Sequence, residues 1–385
     1  MGRAIGVDPG TMFFQTAEIK NKESNEIAFQ EIRNAFVELD VTEEASDALA
    51  QNNWKYIYDK AENKYYVLGE DALKMAKMFP GKLELRRPMK DGVLNKGENK
   101  KMIVLSNIIE RSLGKPSGEL DVVTTCVSSP SADGSSDSAF HRSRLQGMFK
   151  NAGWDVNVIE EAHAVILSEN PKMEEEDGTE AKFSGLGISF GAGRVNAVLA
   201  YKGKSIIGMS CARSGDWIDQ KVAEATDTPL SQIIGAKERK LDFDNLNYDD
   251  DVIIALDVYY GEMIKEVFGH FSNKFKEVKS EFPGAIEIVV AGGTSMPKGF
   301  ISKIKQVIEG LNLPFEIREI RRASDPRTCV ARGCMTHAVI SQRKKEKALS
   351  EKPAAPEPEK APEPEKPKVS VEEANKNIDD LAELG

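Results

Sequence analysis

A short apolar strand that runs into a glycine turn and then into a hairpin occurs twice in this 385-residue chain. The first copy begins at Ile5 and the second at Gly187. Setting Asp8-Pro-Gly-Thr11 against Ser189-Phe-Gly-Ala192 superposes Gly10 on Gly191. The recurrence predicts two similar lobes of roughly 150–180 residues, each opening on a strand with a glycine turn at its end, facing one cleft. Short strand–glycine–turn patterns are common, so chance recurrence is the competing reading.

The segments between the two copies alternate strand and helix. Ala4–Val7, Thr16–Ile19 and Glu26–Ile32 read as a strand and its hairpin partners. Asp121–Val127 is a β-branched apolar strand, Phe140–Ala152 a helix, Val156–Ile159 a strand, and Ala162–Ser168 opens another helix. Leu186–Ser189, Val195–Tyr201 and Ser205–Met209 follow as three strands, with Lys-Gly-Lys at 202–204 as a turn. Ile264, Val267, Phe268, Phe271, Phe275, Val278 and Phe282 share one face of a long helix. Ile286–Val290 is a buried strand before a helix over Phe300–Leu311. This alternation predicts an α/β fold.

Charge and composition exclude several classes. Lys and Arg number 52 against 62 Asp and Glu, and this acidic balance lacks the footprint of a nucleic-acid binder. No apolar run reaches the roughly 18 residues that a membrane helix needs, so direct membrane insertion is not expected. The N-terminus has no signal-peptide anatomy, and Gly6 stands where a myristoylation motif wants Ser or Thr. The cysteines Cys126, Cys211, Cys329 and Cys334 have neither zinc-knuckle nor redox-pair spacing. They read as reduced, buried thiols of a cytoplasmic protein.

Three glycine turns carry possible chemistry. In Asp8-Pro-Gly-Thr11, Gly10 lets the backbone approach an anion, and neighbouring N–H groups can cradle phosphate oxygens. Asp8 could hold magnesium through water. Gly191-Ala-Gly193 follows the same logic. Ala291-Gly-Gly-Thr-Ser-Met-Pro297 lies between a strand and a helix, where paired glycines let a flat ring or ribose sit against the backbone. Plain turns satisfy each of these patterns alone.

Together the turns resemble those of the actin-like ATPase superfamily, and are most similar to MreB-type bacterial actins, a group that includes the magnetosome actin. Ile5–Thr11 looks like the first phosphate loop, and Gly187–Val195 like the second, with Ser214-Gly-Asp216 as its follower. Arg87-Pro-Met-Lys-Asp-Gly-Val93 is similar to the Arg-Pro-x-x-Asp-Gly-Val segment of these actins. Val158-Ile-Glu-Glu-Ala162 resembles the stretch bearing the catalytic glutamate. Ala236-Lys-Glu-Arg-Lys240 resembles the pair that contacts ribose and adenine, and Ala291–Pro297 the adenosine loop. Ser324–Gly333 is similar to the Asp-Pro-x-Thr-x-Val-x-x-Gly stretch near the family's end. The matches run in order over residues 1–340.

The resemblance implies a two-lobed fold of duplicated ribonuclease-H-like domains around a nucleotide cleft, with a disordered C-terminal tail. Lobe I would span 1–160, with a small inserted subdomain at about 33–90. Lobe II would span 161–340, with a reduced subdomain at about 216–260. It further implies ATP and Mg2+ as ligands. Asp8 would order magnesium, and Gly10, Thr11, Gly191, Ala192, Gly193 and Gly215 would bind phosphates. Glu161 would position the attacking water, with Glu160 as the alternative if the register slips by one. Lys237 and Glu238 would contact ribose and adenine, and Gly292, Gly293 and Met296 would close the pocket.

Departures from the family pattern qualify the activity. Ser189 stands where the second phosphate loop usually has Asp, so hydrolysis is expected to be slow or impaired. Ala162 replaces the usual Pro, the stretch between Lys240 and Tyr260 is short, and no amphipathic helix precedes the first strand. The implied function is a cytoplasmic ATP-binding actin that assembles head to tail into cytoskeletal filaments. The alternatives are a non-polymerising ATP-dependent scaffold or chaperone-like protein on the same fold, and a sugar or acetate kinase.

The tail reads separately. Six of the 17 prolines lie beyond Ser341, and Pro-Glu-Pro-Glu-Lys recurs at 356–360 and 362–366. Residues 341–369 are expected to be an extended linker. Residues 370–385 place Val371, Ala374, Ile378, Leu381 and Leu384 at helical spacing, with Ser370 and Glu373 as a capping box. Such a short amphipathic helix suits a groove on a protein partner, and a frayed solubilising tail is the other reading.

Overall fold

Strands covered on both faces carry near-continuous apolar runs, and Val122–Val127 and Gly185–Phe190 are buried at every position. The structure is a computed structural model and describes residues 2–21, 26–94, 99–134, 138–169, 172–174, 180–279, 282 and 284–351. The chain divides into two units, 1–346 and 347–385. Among the described residues, no helix is long and apolar enough to cross a membrane.

The first part runs β1 (Ala4–Pro9), β2 (Phe13–Asn21), β3 (Glu26–Arg33), β4 (Phe36–Asp40), α1 (Glu43–Gln51), β5 (Tyr56–Asp59), β6 (Lys64–Leu68), α2 (Gly69–Met78), β7 (Met89–Lys90) and β8 (Val93–Leu94). Then come α3 (Asn99–Leu113), β9 (Val122–Val127), α4 (Ser138–Asn151), β10 (Asp155–Glu160), α5 (Glu161–Glu169), β11 (Lys172–Glu174) and β12 (Glu180–Lys182). The second part runs β13 (Gly185–Phe190), β14 (Val195–Tyr201), β15 (Lys204–Cys211), α6 (Gly215–Thr226), α7 (Leu230–Arg239) and α8 (Asp251–Val278). It ends with β16 (Ile286–Ala291), α9 (Phe300–Glu309), β17 (Ile317–Arg322) and α10 (Cys329–Ser350).

The two five-stranded sheets are wired alike. One has the order β10-β9-β1-β2-β3 and the other, from the opposite edge, β17-β16-β13-β14-β15. In each, an antiparallel meander (β1–β3 or β13–β15) is extended by two parallel strands, β9 and β10 or β16 and β17. Register preserves the repeat: Asp8 pairs with Gln15 as Ser189 pairs with Asn196. The sequence-level alignment of Gly10 with Gly191 is therefore an alignment of equivalent turns.

The helix that follows the last strand of each five-stranded sheet, α5 after β10 and α10 after β17, packs on the first strand of the other sheet. A Cβ at Gly187 of β13 would lie 2.6 Å from the Ala162 carbonyl oxygen of α5. A Cβ at Gly6 of β1 would lie 2.1 Å from the Ala331 carbonyl oxygen of α10. The two helices also meet: a Cβ at Gly333 would come 1.8 Å from the Ala164 carbonyl oxygen. Around this crossing Cys126, Ala162, Val165, Ile166, Val289, Cys329, Val330 and Cys334 form one apolar cluster. All four cysteines are buried and free.

The remaining elements flank this core. Strands β4, β6 and β5 make a small antiparallel sheet over Val37, Leu49, Val67, Ala72 and Met75. Helix α8 starts where Asp250 accepts hydrogen bonds from the Val252 and Ile253 amides, and it buries Ile253, Leu256, Tyr260, Ile264, Val267, Phe268, Phe271 and Phe275. Between α7 and α8, residues 240–250 hold no strand.

One boundary moves. The linker expected from residue 341 does not begin there, because α10 continues to Ser350. Gln342 is buried and donates to the Leu120 carbonyl at 2.8 Å, and Lys345 pairs with Asp155 at 2.8 Å. The charged run ahead of Pro353 contains no helix breaker. The repeats at 356–366 and the terminal helix expected at 370–385 lie outside the described residues.

The helix crossing yields a paired stability prediction. Gly333→Ala should destabilise the protein by on the order of 1–3 kcal/mol or more, because the methyl has no room. Gly269→Ala on α8, where an added Cβ meets nothing within 4 Å, should stabilise by about 1 kcal/mol. Urea unfolding measures both. Equal effects at the two positions would contradict the close crossing.

Candidate functional site

The ends of β1 and β13 bring the two glycine turns face to face. A Cβ on Gly193 would sit 2.4 Å from both the Thr11 Oγ1 and the Gly92 amide nitrogen, so the second turn closes directly on the first. The turns share one geometry. A Cβ on Gly10 would meet the Phe13 carbonyl oxygen at 2.7 Å, and a Cβ on Gly191 the Arg194 carbonyl oxygen at the same distance.

In both turns carbonyl groups are drawn off by neighbours. The buried Asn34 donates its side-chain amide to the Gly10 carbonyl at 2.9 Å and its backbone amide to Met12 at 2.9 Å. In the second turn, Thr294 Oγ1 and the Gly215 amide bond the Gly191 carbonyl at 2.9 and 3.1 Å. Ser214 Oγ and the Asp216 amide bond the Ala192 carbonyl at 2.6 and 2.8 Å. The amides of Thr11, Ala192 and Gly193 donate to no described residue. Clustered amides left without acceptors form a nest suited to an anion.

Two carboxylates lie beside the turns. Asp8 is half-buried near the end of β1, and Glu161 opens α5. Glu161 accepts from Ser189 Oγ at 2.7 Å on one oxygen and from Asn196 Nδ2 at 2.8 Å on the other. Burial raises its proton affinity, while these two bonds and the positive charge of Arg194 work against the rise; the net shift is upward. Burial and then the charge of Glu161 push Asp8 well above the ordinary carboxylate range, and the Cys126 thiol, 3.7 Å from its Oδ1, offsets this in part. Glu160 points elsewhere: it accepts from Ser205 Oγ at 2.9 Å and lies against Gly208 of β15. The register therefore puts Glu161, not Glu160, beside Asp8. Asp8 and Glu161 offer hard oxygen donors, which fit magnesium better than a softer metal.

The other expected residues are divided. Gly215 packs on Thr294 and Ala192, and Gly292, at φ +91°, packs on the backbone of Phe190, so both line the second turn. Lys237 is committed inward: its Nζ bonds the buried Asp219 at 2.7 Å and the Gly215 carbonyl at 3.2 Å. Glu238, Gly293 and Met296 are exposed.

Several residues at the site were not singled out from the sequence. Asn196 holds Glu161 with its amide nitrogen and accepts from the Ser129 amide with its oxygen at 3.1 Å. Arg194 is fully buried and donates to the Asp91 carbonyl at 3.1 Å, Ser210 Oγ at 3.0 Å and Ser131 Oγ at 3.2 Å. It thereby ties the second turn to segments following β7 and β9. Arg87 and Asp216, both from stretches quoted for the resemblance, pair at 2.7 Å along the same seam. The available signal was a polar residue inside an apolar strand, as at Arg194-Val-Asn196.

The family model described as Volactin matches residues 3–338. No curated protein matches the chain in sequence. Among solved structures the chain is similar to "MamK double helical filament" at 16% identity and TM-score 0.64, covering 87% of this chain and 98% of that one. It is also similar to MreB5 of Spiroplasma citri bound to ADP, at 16% identity and TM-score 0.60, covering 90% and 98%. The same protein bound to AMPPNP matches at 15% identity and TM-score 0.58, covering 90% and 97%. These likenesses establish the actin-like fold and with it the fold expected from the sequence.

The two raised carboxyls make nucleotide-free stability depend on pH. Folded Asp8 and Glu161 retain protons where the unfolded chain has released them. Stability should therefore fall as pH rises from about 4 through the raised values of the pair. Asp8→Asn removes the like charge, so it should raise the melting temperature of the nucleotide-free protein at neutral pH and flatten this dependence. Melts across pH measure it; a variant less stable than wild type at neutral pH would show that Asp8 is ionised and paired.

Proposed function

The chain belongs to the Volactin family, and on that footing we propose that it is an ATP-binding actin-like protein that assembles head to tail into filaments and turns over its nucleotide slowly. The observation that carries the nucleotide reading is the closure of Gly193 on Thr11, which sets two anion-binding turns and the carboxylates of Asp8 and Glu161 around one space. The likeness in fold to a protein solved as a double helical filament supports the filament reading.

In this reading the amides of Thr11, Ala192 and Gly193 hold phosphate oxygens. Gly10, Gly191 and Gly215 let the backbone come close enough to do so. Asp8 holds the hydrated magnesium ion, which would supply charge neutralisation along the phosphates. Lys237 and Glu238 on α7 and the turn at Gly292, Gly293 and Met296 border the nucleoside. Lys237 acts through Asp219, which it already pairs. Glu161 orients water, since positioning and electrostatics make up most of phosphoryl-transfer catalysis.

Slow turnover follows from the bonds Glu161 already makes. Ser189 and Asn196 each donate to one of its oxygens and draw charge off both, which weakens the acceptors that water would use. The upward shift of Glu161 works the other way, since it favours proton uptake, so slow turnover rests on these two bonds. A second reading, a non-polymerising scaffold on the same fold, is favoured by the strandless 240–250 stretch, and pelleting with magnesium and ATP separates the two.

Wild type should pellet with magnesium–ATP and release phosphate slowly. Ser189→Asp removes the hydroxyl donor and adds a carboxylate, so it should raise the phosphate-release rate by roughly tenfold or more, and Glu161→Ala should lower the wild-type rate. Chain that binds ATP but stays in the supernatant would favour the scaffold. A release rate indifferent to both substitutions would remove Glu161 from the reaction.

A further inference from the structure

Cys211 closes β15, and its thiol faces α8, where Glu266 and His270 lie one turn apart on the same side of the helix. The thiol sulfur, a carboxylate oxygen and a ring nitrogen of these three residues all lie within 4.8 Å of one another. The chain has only four cysteines and four histidines. Among the described residues, no other group of three metal-ligating side chains converges in this way.

We infer that Cys211, Glu266 and His270 form a binding site for a divalent transition metal of the zinc type, separate from the nucleotide turns. Thiolate, imidazole and carboxylate together are a donor set that zinc accepts, with tetrahedral sites commonly built from three protein ligands and a water. Hard cations such as magnesium select oxygen alone and are disfavoured by the sulfur. Donor atoms around a zinc ion stand about 3–4 Å apart. The donors here lie up to 4.8 Å apart, and the half-exposed His270 has the rotational freedom to close that gap onto the anchored Glu266 and Cys211.

The surroundings hold the donors in place. Arg213 grips the Glu266 carboxylate through Nε at 2.5 Å and is itself stacked over Trp217, with its guanidinium carbon 5.0 Å from the ring centre. A ligating carboxylate anchored in this way is oriented before metal arrives. Asp133 adds negative charge that bears on both Cys211 and Glu266, and its Oδ2 accepts from the Ala212 amide at 2.7 Å. Metal on the three donors would pin the end of β15 to α8. That end also joins the segment after β9: the Ser210 amide donates to the Pro130 carbonyl at 2.9 Å, and the Ala132 amide to the Ser210 carbonyl at 2.8 Å. Occupancy would therefore stiffen the seam between the two sheets.

Cobalt(II) reports such a site directly, through a near-ultraviolet thiolate-to-cobalt absorption and intense tetrahedral bands in the visible. The full chain, stripped with chelator and kept reduced, is titrated with cobalt alone and then with zinc. The account expects both features to saturate at one equivalent, to be displaced by zinc, and to persist in Cys126→Ser. Cys211→Ser should abolish the thiolate band, and His270→Gln should weaken cobalt binding by roughly tenfold or more. Zinc should raise the melting temperature of wild type and leave that of His270→Gln unchanged. His270→Gln changes a half-exposed helix residue, so it keeps the test decisive if Cys211→Ser fails to fold. Absence of the thiolate band in wild type, its loss in Cys126→Ser, or unweakened binding in His270→Gln would overturn the proposal.

Discussion

The contact between α5 and α10 at Gly333 and Ala164 is the constraint on which the rest of the molecule depends. At that crossing the backbones approach too closely for any side chain. Each helix follows the last strand of one five-stranded sheet and packs on the first strand of the other, over Gly187 in one case and Gly6 in the other. This exchange sets β1 and β13 about a common centre. Their ends then point into the same space, and two ordinary glycine turns become one site. The apolar cluster around the crossing stabilises the arrangement by burial.

The site's polar groups follow from that placement and carry a conflict. Joining the halves brings Asp8 of one turn next to Glu161, whose partners Ser189 and Asn196 come from the other half. A carboxylate at position 189 would set a third acid beside these two. Ser189 instead contributes a proton donor, which eases the crowding of charge while drawing charge off an oxygen of Glu161. Arg194 supplies the compensating positive charge from a buried position and spans the seam by bonding groups on both sides. Stability of the nucleotide-free chain and readiness for hydrolysis thus pull on the same few atoms.

Much of this was legible in the sequence because it is local. The repeated strand and glycine turn, the alternation of apolar residues and the apolar face of α8 depend on neighbours a few positions away. The equivalence of Gly10 with Gly191 could be read directly, and the register of both hairpins preserves it. What escaped notice depends on residues far apart in the chain. Nothing near Arg194 indicates that it reaches Asp91, or that Asn34 would hold the first turn by its carbonyls. Lys237 was expected at ribose and adenine through the resemblance alone, and its bond to Asp219 rests on the packing of α6 against α7. The linker was set too early, at 341, because the first proline beyond the core is Pro353 and only the burial of Gln342 shows that the intervening stretch still belongs to α10. The Cys211, Glu266 and His270 cluster was invisible because its members come from two elements brought together by the fold alone.

The central claim is that the two turns act as a single anion-binding nest. Amide hydrogen exchange, with and without magnesium–ATP, tests it at the groups concerned. The account predicts that peptides covering Asp8–Phe14 and Ser189–Val195 slow together on addition of nucleotide, because the amides of Thr11, Ala192 and Gly193 gain acceptors at once. Slowing in one turn without the other, or in neither while nucleotide is bound, would contradict it.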